Sequence, residues 1–462
     1  MNQSLPPLDP AARARAARTQ ALLSAPIGPT LAKLAAPNIL AMVVQAAQSI
    51  AEAYFASRIG VTALAGLALV FPLVMLTQML SAGAMGGAIS ASVARALGAG
   101  NPDRAATLTI TAWLLAVGFA LVMAAIMLLF GPAIFVTLGG GPESVAAAVT
   151  YAAVFFPGCI AIWMCHASLS VIRGTGDMGM PSLLLLLVST VSIPLAGGFA
   201  LGWGPLPALG MAGLPLGLIV AYGVGALVAV GYIAAGRTGL AFKGALGRID
   251  GGMVRDIMSV GAMASVNTVL TVLTVVMMVG MVGRHGEGAL AGYGLGARLE
   301  FLMIPVIFGI GAAMTSMVGA NIGAGAKARA LRVAWTGSLA GAAIVGVIGL
   351  VLALFPDLWL GIFLEPTNTE ALTAGRAYFH IVAPFYPFFG LGLALYFASQ
   401  GAGRMLWPVI GSFSRIGVAI GGAVLLRSVT TIGVNGVFMA IAFAMLVYGS
   451  IISIAVWRGR WA

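Results

Sequence analysis

Arg58-Ile59-Gly60-Val61-Thr62-Ala63-Leu64-Ala65-Gly66 recurs as Arg284-His285-Gly286-Glu287-Gly288-Ala289-Leu290-Ala291-Gly292. Two shorter motifs repeat in the same order. Leu97-Gly98-Ala99-Gly100 returns as Ile322-Gly323-Ala324-Gly325, and Arg173-Gly174-Thr175-Gly176 with Pro181 behind it returns as Gln400-Gly401-Ala402-Gly403 with Pro408 behind it. Subtracting the first residue numbers of each pair gives offsets of 226, 225 and 227. The copies therefore stay in register across about half the chain. In a strongly apolar protein, such a duplication predicts two transporter lobes related by pseudo-symmetry.

Composition sets the class. Hydrophobic residues make up 61% of the chain and charged residues 8%, with a mean hydropathy of +1.07. A soluble globule carries about 25% charged residues, so this chain cannot cover itself with a water-facing surface. It reads as an all-α integral membrane protein. Twelve candidate spans centre on 30–57, 63–95, 105–130, 145–172, 182–203, 209–235, 254–282, 289–320, 329–355, 371–398, 408–427 and 433–456. Runs such as Leu114 to Phe130 approach the roughly 20 residues that cross hydrocarbon. The expected organisation is an arm (1–29), an N-lobe of six helices (30–235), a linker (236–252) and a C-lobe of six helices (253–462). Small residues such as Gly83-Ala84-Met85-Gly86-Gly87 let helices approach closely.

The arm is polar and Pro-rich, with Arg13, Arg15 and Arg18, and has no apolar core and cleavage site of a signal peptide. With its end placed in the cytosol, alternating spans put Lys33, Arg95, Arg104, Arg173, Arg237, Lys243, Arg248, Arg255, Lys327, Arg329, Arg332, Arg404, Arg458 and Arg460 on the same side. The opposite side holds Arg58, Arg284, Arg376 and Arg427. That asymmetry predicts both termini in the cytosol. The net charge of +11 then reflects topology and contact with anionic membrane lipid, and no nucleic acid is expected as a partner. Few lysines against many arginines, with abundant Ala and Gly, suggest a GC-rich bacterial genome and a bacterial inner membrane. Cys159 and Cys165 both fall in the fourth span, and no Cys or His spacing resembles a metal site. No cofactor is expected.

The acidic residues carry the functional argument. Nine lie at loops or span ends (Asp103, Glu143, Asp177, Asp250, Asp256, Glu287, Asp357, Glu365 and Glu370) and Asp9 in the arm, which leaves Glu52 and Glu300 embedded. An intramembrane carboxylate is a functional hypothesis by default. Asn38, Gln45 and Glu52 recur at intervals of seven, with Gln48 one turn before the acid, so they share one face of the first span. Pro37 removes a backbone hydrogen bond and offers a kink. The alternative for Glu52 is a carboxylate snorkelling to the interface near Arg58. Glu300 follows Arg298, and residues two apart on a helix do not face each other. It is either a lobe-specific site or a structural ion pair with another span. The duplication sets Val74 opposite Glu300, Pro72 opposite Arg298 and Met278 opposite Glu52, so neither acid belongs to the repeated framework. Gln78, His166, Asn267, Thr271 and Tyr386 are further candidates to line a cavity, each alternatively a satisfied interhelical hydrogen bond. Met277, Met278 and Met281 read as packing, though Met adapts to varied apolar shapes.

The order of these features resembles a known family. Pro37 with an acid fifteen residues later, Arg-Ile-Gly with Ala-Leu-Ala-Gly, Gly98-Ala99-Gly100-Asn101 and Arg173-Gly174-Thr175-Gly176-Asp177 with Pro181 are similar to the multidrug and toxic compound extrusion (MATE) family of cation-coupled antiporters. The resemblance spans residues 30 to 456. It implies two six-helix bundles around a cavity that opens alternately to each side, exporting amphipathic organic cations or drugs against proton or sodium entry, with the chain acting as a monomer. It places Glu52 where family members commonly carry Asp, and matches Pro37 to the first-helix proline. Acids that other branches carry in helices five, seven and ten are missing here. A proton needs only one titratable carboxylate, so proton coupling is expected over sodium. Glu52 is the expected coupling acid, Glu300 a second, and Asn38, Gln45, Gln48, Gln78, His166, Asn267, Thr271, Arg298 and Tyr386 the expected cavity. Two other functions fit less well. A lipid-linked sugar flippase would need several cationic residues in the cavity, and only Arg298 and Arg415 lie within spans. An intramembrane enzyme would need converging catalytic groups, yet His166, His285 and His380 are far apart in sequence.

Overall fold

The computed structural model describes residues 10–242, 244–429 and 431–458, so Asp9, Lys243 and Arg460 lie outside the described residues. The described residues form helices and no strand. Twelve helices are long and apolar enough to cross a membrane, one for each expected span: α1 (Ile27–Ile59), α2 (Val61–Gly98), α3 (Pro102–Thr137), α4 (Pro142–Gly174), α5 (Gly179–Leu201), α6 (Gly210–Ala234), α7 (Gly251–Gly283), α8 (Glu287–Gly323), α9 (Lys327–Leu354), α10 (Thr369–Ala402), α11 (Leu406–Val429) and α12 (Val434–Trp457). Polar caps start two of them. Asn101 accepts the Arg104 amide at 2.9 Å before α3, and Asp250 accepts the Met253 amide at 2.9 Å before α7. Internal prolines do not end the helices. α1 runs through Pro37 without a break, and α3 passes Pro132 to reach Thr137, beyond the expected end at 130.

The repeated motifs are the turns between these helices. Gly60 and Gly286 (φ 153° and 104°), Gly100 and Gly325 (72° and 74°), and Gly176 and Gly403 (83° and 73°) all take the left-handed region in both copies. A side chain there would be strained, which is why these positions survive the divergence of the halves.

The two lobes meet at the end of the molecule where α1 and α7 begin and α2 and α8 finish. There α2 and α8 cross at backbone distance. A Cβ added at Gly98 would lie 2.0 Å from the Ala320 carbonyl oxygen, and one at Gly323 would lie 2.0 Å from that of Arg95. The contact is reciprocal, as pseudo-symmetry requires. Polar links surround it. Ser90 and Ser316 hydroxyls lie 3.1 Å apart, Arg95 donates to Gly401 O at 3.2 Å, and Gln400 donates to Gly83 O and Ala84 O at 3.2 and 3.0 Å. Asp256 at the start of α7 bridges Arg95 (2.7 Å) and Arg104 (3.0 Å) of the other lobe. Each lobe's first helix also leans on its neighbour. Leu31 and Ala35 of α1 are buried in the C-lobe core, and Ile257, Val260 and Ala264 of α7 in the N-lobe core.

The arm differs from the expected polar tail. Pro10–Ser24 is a helix laid across the closed end. Arg18 pairs with Asp177 at 3.5 Å, and Arg15 donates to Gly239 O, both on the N-lobe side. Leu22, 3% exposed, inserts into the C-lobe core. Asn321 donates to Leu22 O at 3.1 Å and Arg329 donates to Ala25 O.

Replacing Gly98 with Val should force α2 from α8 and lower the thermal midpoint in detergent, with a loss of about 1–3 kcal/mol. Gly118→Ala, where an added Cβ meets nothing within 4 Å, should leave the midpoint unchanged or slightly raised.

Candidate functional site

The polar stripe of α1 turns into the N-lobe. Glu52 and Gln48 are both buried, at 9% and 7% exposure. The Tyr151 hydroxyl of α4 donates to Glu52 Oε1 at 2.6 Å. Beside the carboxyl lies a small recess lined by Gln48, Phe55, Ser192, Ile193, Leu214 and Leu218. Glu52 thus sits among α1, α4, α5 and α6, with one phenol as its hydrogen-bond donor and mostly apolar walls. In a poorly solvated setting a change of charge on this group alters its interaction energy with every neighbour far more than it would in water.

Seven residues earlier on the same face, Gln45 Nε2 donates to Gln78 Oε1 and to the Tyr222 hydroxyl, both at 3.1 Å. His166 is enclosed at 1% exposure, with Nδ1 2.8 Å from the Ser81 hydroxyl and its ring edge-on to Tyr222 at 5.5 Å. Gln45, Gln78 and His166 therefore belong to one polar cluster inside the N-lobe.

The C-lobe holds the second acid. The Tyr378 hydroxyl of α10 donates to Glu300 Oε1 on α8. Tyr151 and Tyr378 differ by 227 positions, the offset of the third repeated motif, so they are counterparts. Their acids are not counterparts, because Glu52 comes from the first helix of its lobe and Glu300 from the second. The positions left over, Met278 and Val74, are buried apolar side chains. Nearby on α11, Arg415 stacks over Phe389 and Tyr448 at 5.3 and 5.7 Å from the ring centroids.

Several expected cavity residues are elsewhere. Asn38 is 0% exposed at the lobe junction, and among the described residues neither amide atom has a hydrogen-bond partner. The α1 contact with α8, where Ile39 fills the space over Gly309, closes that region. Asn267 is enclosed and accepts from the Ser412 hydroxyl, while the Thr271 hydroxyl bonds back to Asn267 O at 2.9 Å. Tyr386 and His166 are sealed within their lobes. Arg298 is exposed. Both cysteines are free and buried. The tyrosines Tyr151, Tyr222 and Tyr378 escaped sequence reasoning, although the 227 offset between the first and last was present as a signal. Arg173 and Gln400, singled out in the sequence as motif residues, line a small recess between the lobes with Gly87, Ser90 and Thr315.

The MatE family model matches residues 37–196 and 261–425, one segment in each lobe. The FAD transporter of Shewanella oneidensis is 24% identical over 311 residues, covering 67% of this chain and 68% of its own. "Probable multidrug resistance protein YoeA" of Bacillus subtilis is 25% identical over 401 residues, covering 85% and 86%. A solved MOP superfamily transporter from Pyrococcus furiosus superposes with a TM-score of 0.85 at 21% identity, over 98% of both chains.

A double-mutant cycle tests the N-lobe pair. Glu52→Gln and Tyr151→Phe should lower thermal stability less in combination than the sum of the single changes. The expected coupling is about 1–3 kcal/mol, and strict additivity would show that the contact carries no energy.

Proposed function

The chain belongs to the MatE family, and from that membership we propose that it is a secondary active exporter of amphipathic, mostly cationic organic compounds, driven by proton entry. The observation that carries the proton assignment is the setting of Glu52, a single embedded carboxyl with one phenol donor and apolar walls. A proton needs one such group. A sodium ion needs several oxygen ligands, and the walls around Glu52 supply few.

With the basic end, where the lobes meet, facing the cytosol of a bacterial inner membrane, both termini are cytosolic. Protonation of Glu52 from outside removes its charge and weakens its hold on a cationic substrate. Helix α1, which touches both lobe cores, carries that change to the lobe junction. Substrate leaves outward, the lobes exchange facing, and the proton departs to the cytosol. Differential affinity of the two facing states couples the flows. Glu300, bonded to the counterpart tyrosine, is a second acid acting in the C-lobe. The chain works as a monomer.

A second cargo has one observation in its favour. Arg415, stacked on two rings, suits an anionic aromatic compound, and one relative is named an FAD transporter.

Proteoliposomes under separately imposed proton and sodium gradients decide among these readings, with ethidium and FAD as probes. Proton-driven ethidium efflux is expected. Glu52→Gln should abolish it while membrane levels hold, and Glu300→Gln should reduce it. Wild-type efflux in Glu52→Gln would overturn the coupling assignment, and FAD efflux without ethidium efflux would overturn the cargo.

A further inference from the structure

Helix α1 passes from one lobe core to the other, and a polar residue stands at the crossing. Leu31 and Ala35 are buried in the C-lobe core, whereas Ala41 and Met42 are buried in the N-lobe core. Asn38 lies between the two pairs and is 0% exposed. Its neighbour Ile39 packs against the C-lobe core. There α1 and α8 run so close that a Cβ added at Gly309 would lie 2.3 Å from Ile39 Cγ1 and 3.0 Å from its amide nitrogen. The Asn38 amide thus occupies a close-packed seam between the lobes.

The duplication shows what that seam requires. At an offset of 226, the counterpart of Asn38 is Ala264 of α7, itself 0% exposed and part of the N-lobe core. A small apolar side chain fills the equivalent slot, so packing alone does not call for an amide at 38. Nor does hydrogen bonding in this arrangement. Among the described residues neither Asn38 Nδ2 nor Oδ1 has a partner. An amide brings two donor hydrogens and an acceptor, and leaving them unpaired in a buried place is destabilising. Native proteins keep few such groups. The side chains on either hand act in the opposite sense, because Leu31, Ala35 and Ile39 pack α1 onto the C-lobe.

We infer that Asn38 is a positioning residue of the transport cycle, which destabilises the joined lobes and so keeps their junction releasable. This rests on the alternating facing of the lobes given above. When the lobes part at this end, α1 withdraws Leu31 and Ala35 from the C-lobe core and the seam at Asn38 opens. The amide then meets the water of the opened side, and the groups unpaired here gain hydrogen-bond partners. Packing favours the joined arrangement and the amide favours the parted one. The two stay close enough in free energy for both to be populated, as alternation between them demands. Ala264 gives α7 no such bias, so the release is set on α1 alone.

The test uses full-length protein carrying Cys159→Ala, Cys165→Ala and Ser90→Cys, which leaves one thiol, at a junction position 4% exposed. Asn38 is kept, changed to Leu, an apolar side chain of similar shape, or changed to Ala, the residue of the other half. Three quantities are read: the thermal midpoint in detergent, the rate at which a charged methanethiosulfonate reagent labels the thiol, and ethidium counterflow in proteoliposomes at equal pH. Asn38→Leu should raise the midpoint by about 1 °C or more and slow both labelling and counterflow by about tenfold. Asn38→Ala should slow labelling in the same direction and carries the test if Asn38→Leu does not fold. A midpoint unchanged or lowered in folded Asn38→Leu overturns the proposal, because the amide is then satisfied in the joined lobes. A raised midpoint with labelling and counterflow at the rates of the Asn38 protein also overturns it, since the amide then has no part in release. Absence of ethidium counterflow with Asn38 in place removes the alternating-facing premise itself. Unchanged labelling in the variants of a protein that does exchange ethidium overturns the role of Asn38 alone.

Discussion

The backbone crossing of α2 and α8 at Gly98 and Gly323 governs the arrangement of the whole molecule. Two helices this close admit no side chain between them, since an added Cβ would lie 2.0 Å from a carbonyl oxygen on either side. Van der Waals contact and complementary polar links take over from hydrophobic driving force, which is weak where lipid is the competing partner. Everything nearby is sized to that approach: the serine pair Ser90 and Ser316, the Arg95–Asp256 bridge, and the exchange by which α1 and α7 enter each other's lobe. The acids lie away from this junction, each inside a lobe.

Pseudo-symmetry then separates scaffold from chemistry. Tyr151 and Tyr378 hold equivalent places and each donates to a carboxylate, but the carboxylates enter from different helices. Two halves derived from one ancestor have solved the same local problem, an acid beneath a buried phenol, by substituting different positions. The apolar residues at the vacated sites, Met278 and Val74, keep the cores filled, which close packing demands.

Much of the fold was legible in the sequence. Glycine turns and apolar runs obey local rules, so the twelve helices and the duplication could be read directly, and the seven-residue spacing put Gln45, Gln48 and Glu52 on one buried face. The inward turn of that face toward α4 could not be read, because it depends on which helices become neighbours. For the same reason Tyr151 is invisible in the sequence as a partner of Glu52, and Asn38, expected in a cavity from its place on the stripe, is enclosed at the lobe junction. Boundaries shifted where prolines lie within helices, as at Pro132, since neighbouring helices allow continuation that a propensity argument forbids. The π-helical turn of α2, Met79–Met85, was written in the sequence as a drift of one residue between repeats, but only the backbone shows where it is absorbed.

The docked arm adds a thermodynamic consequence. Its helix grips Asp177 and Gly239 on one lobe and buries Leu22 in the other, so its binding free energy exists only while the lobes are together at this end. Through its Boltzmann factor, that energy weights any equilibrium between this arrangement and one in which the lobes part at this end. A segment remote from both acids therefore biases which arrangement is populated.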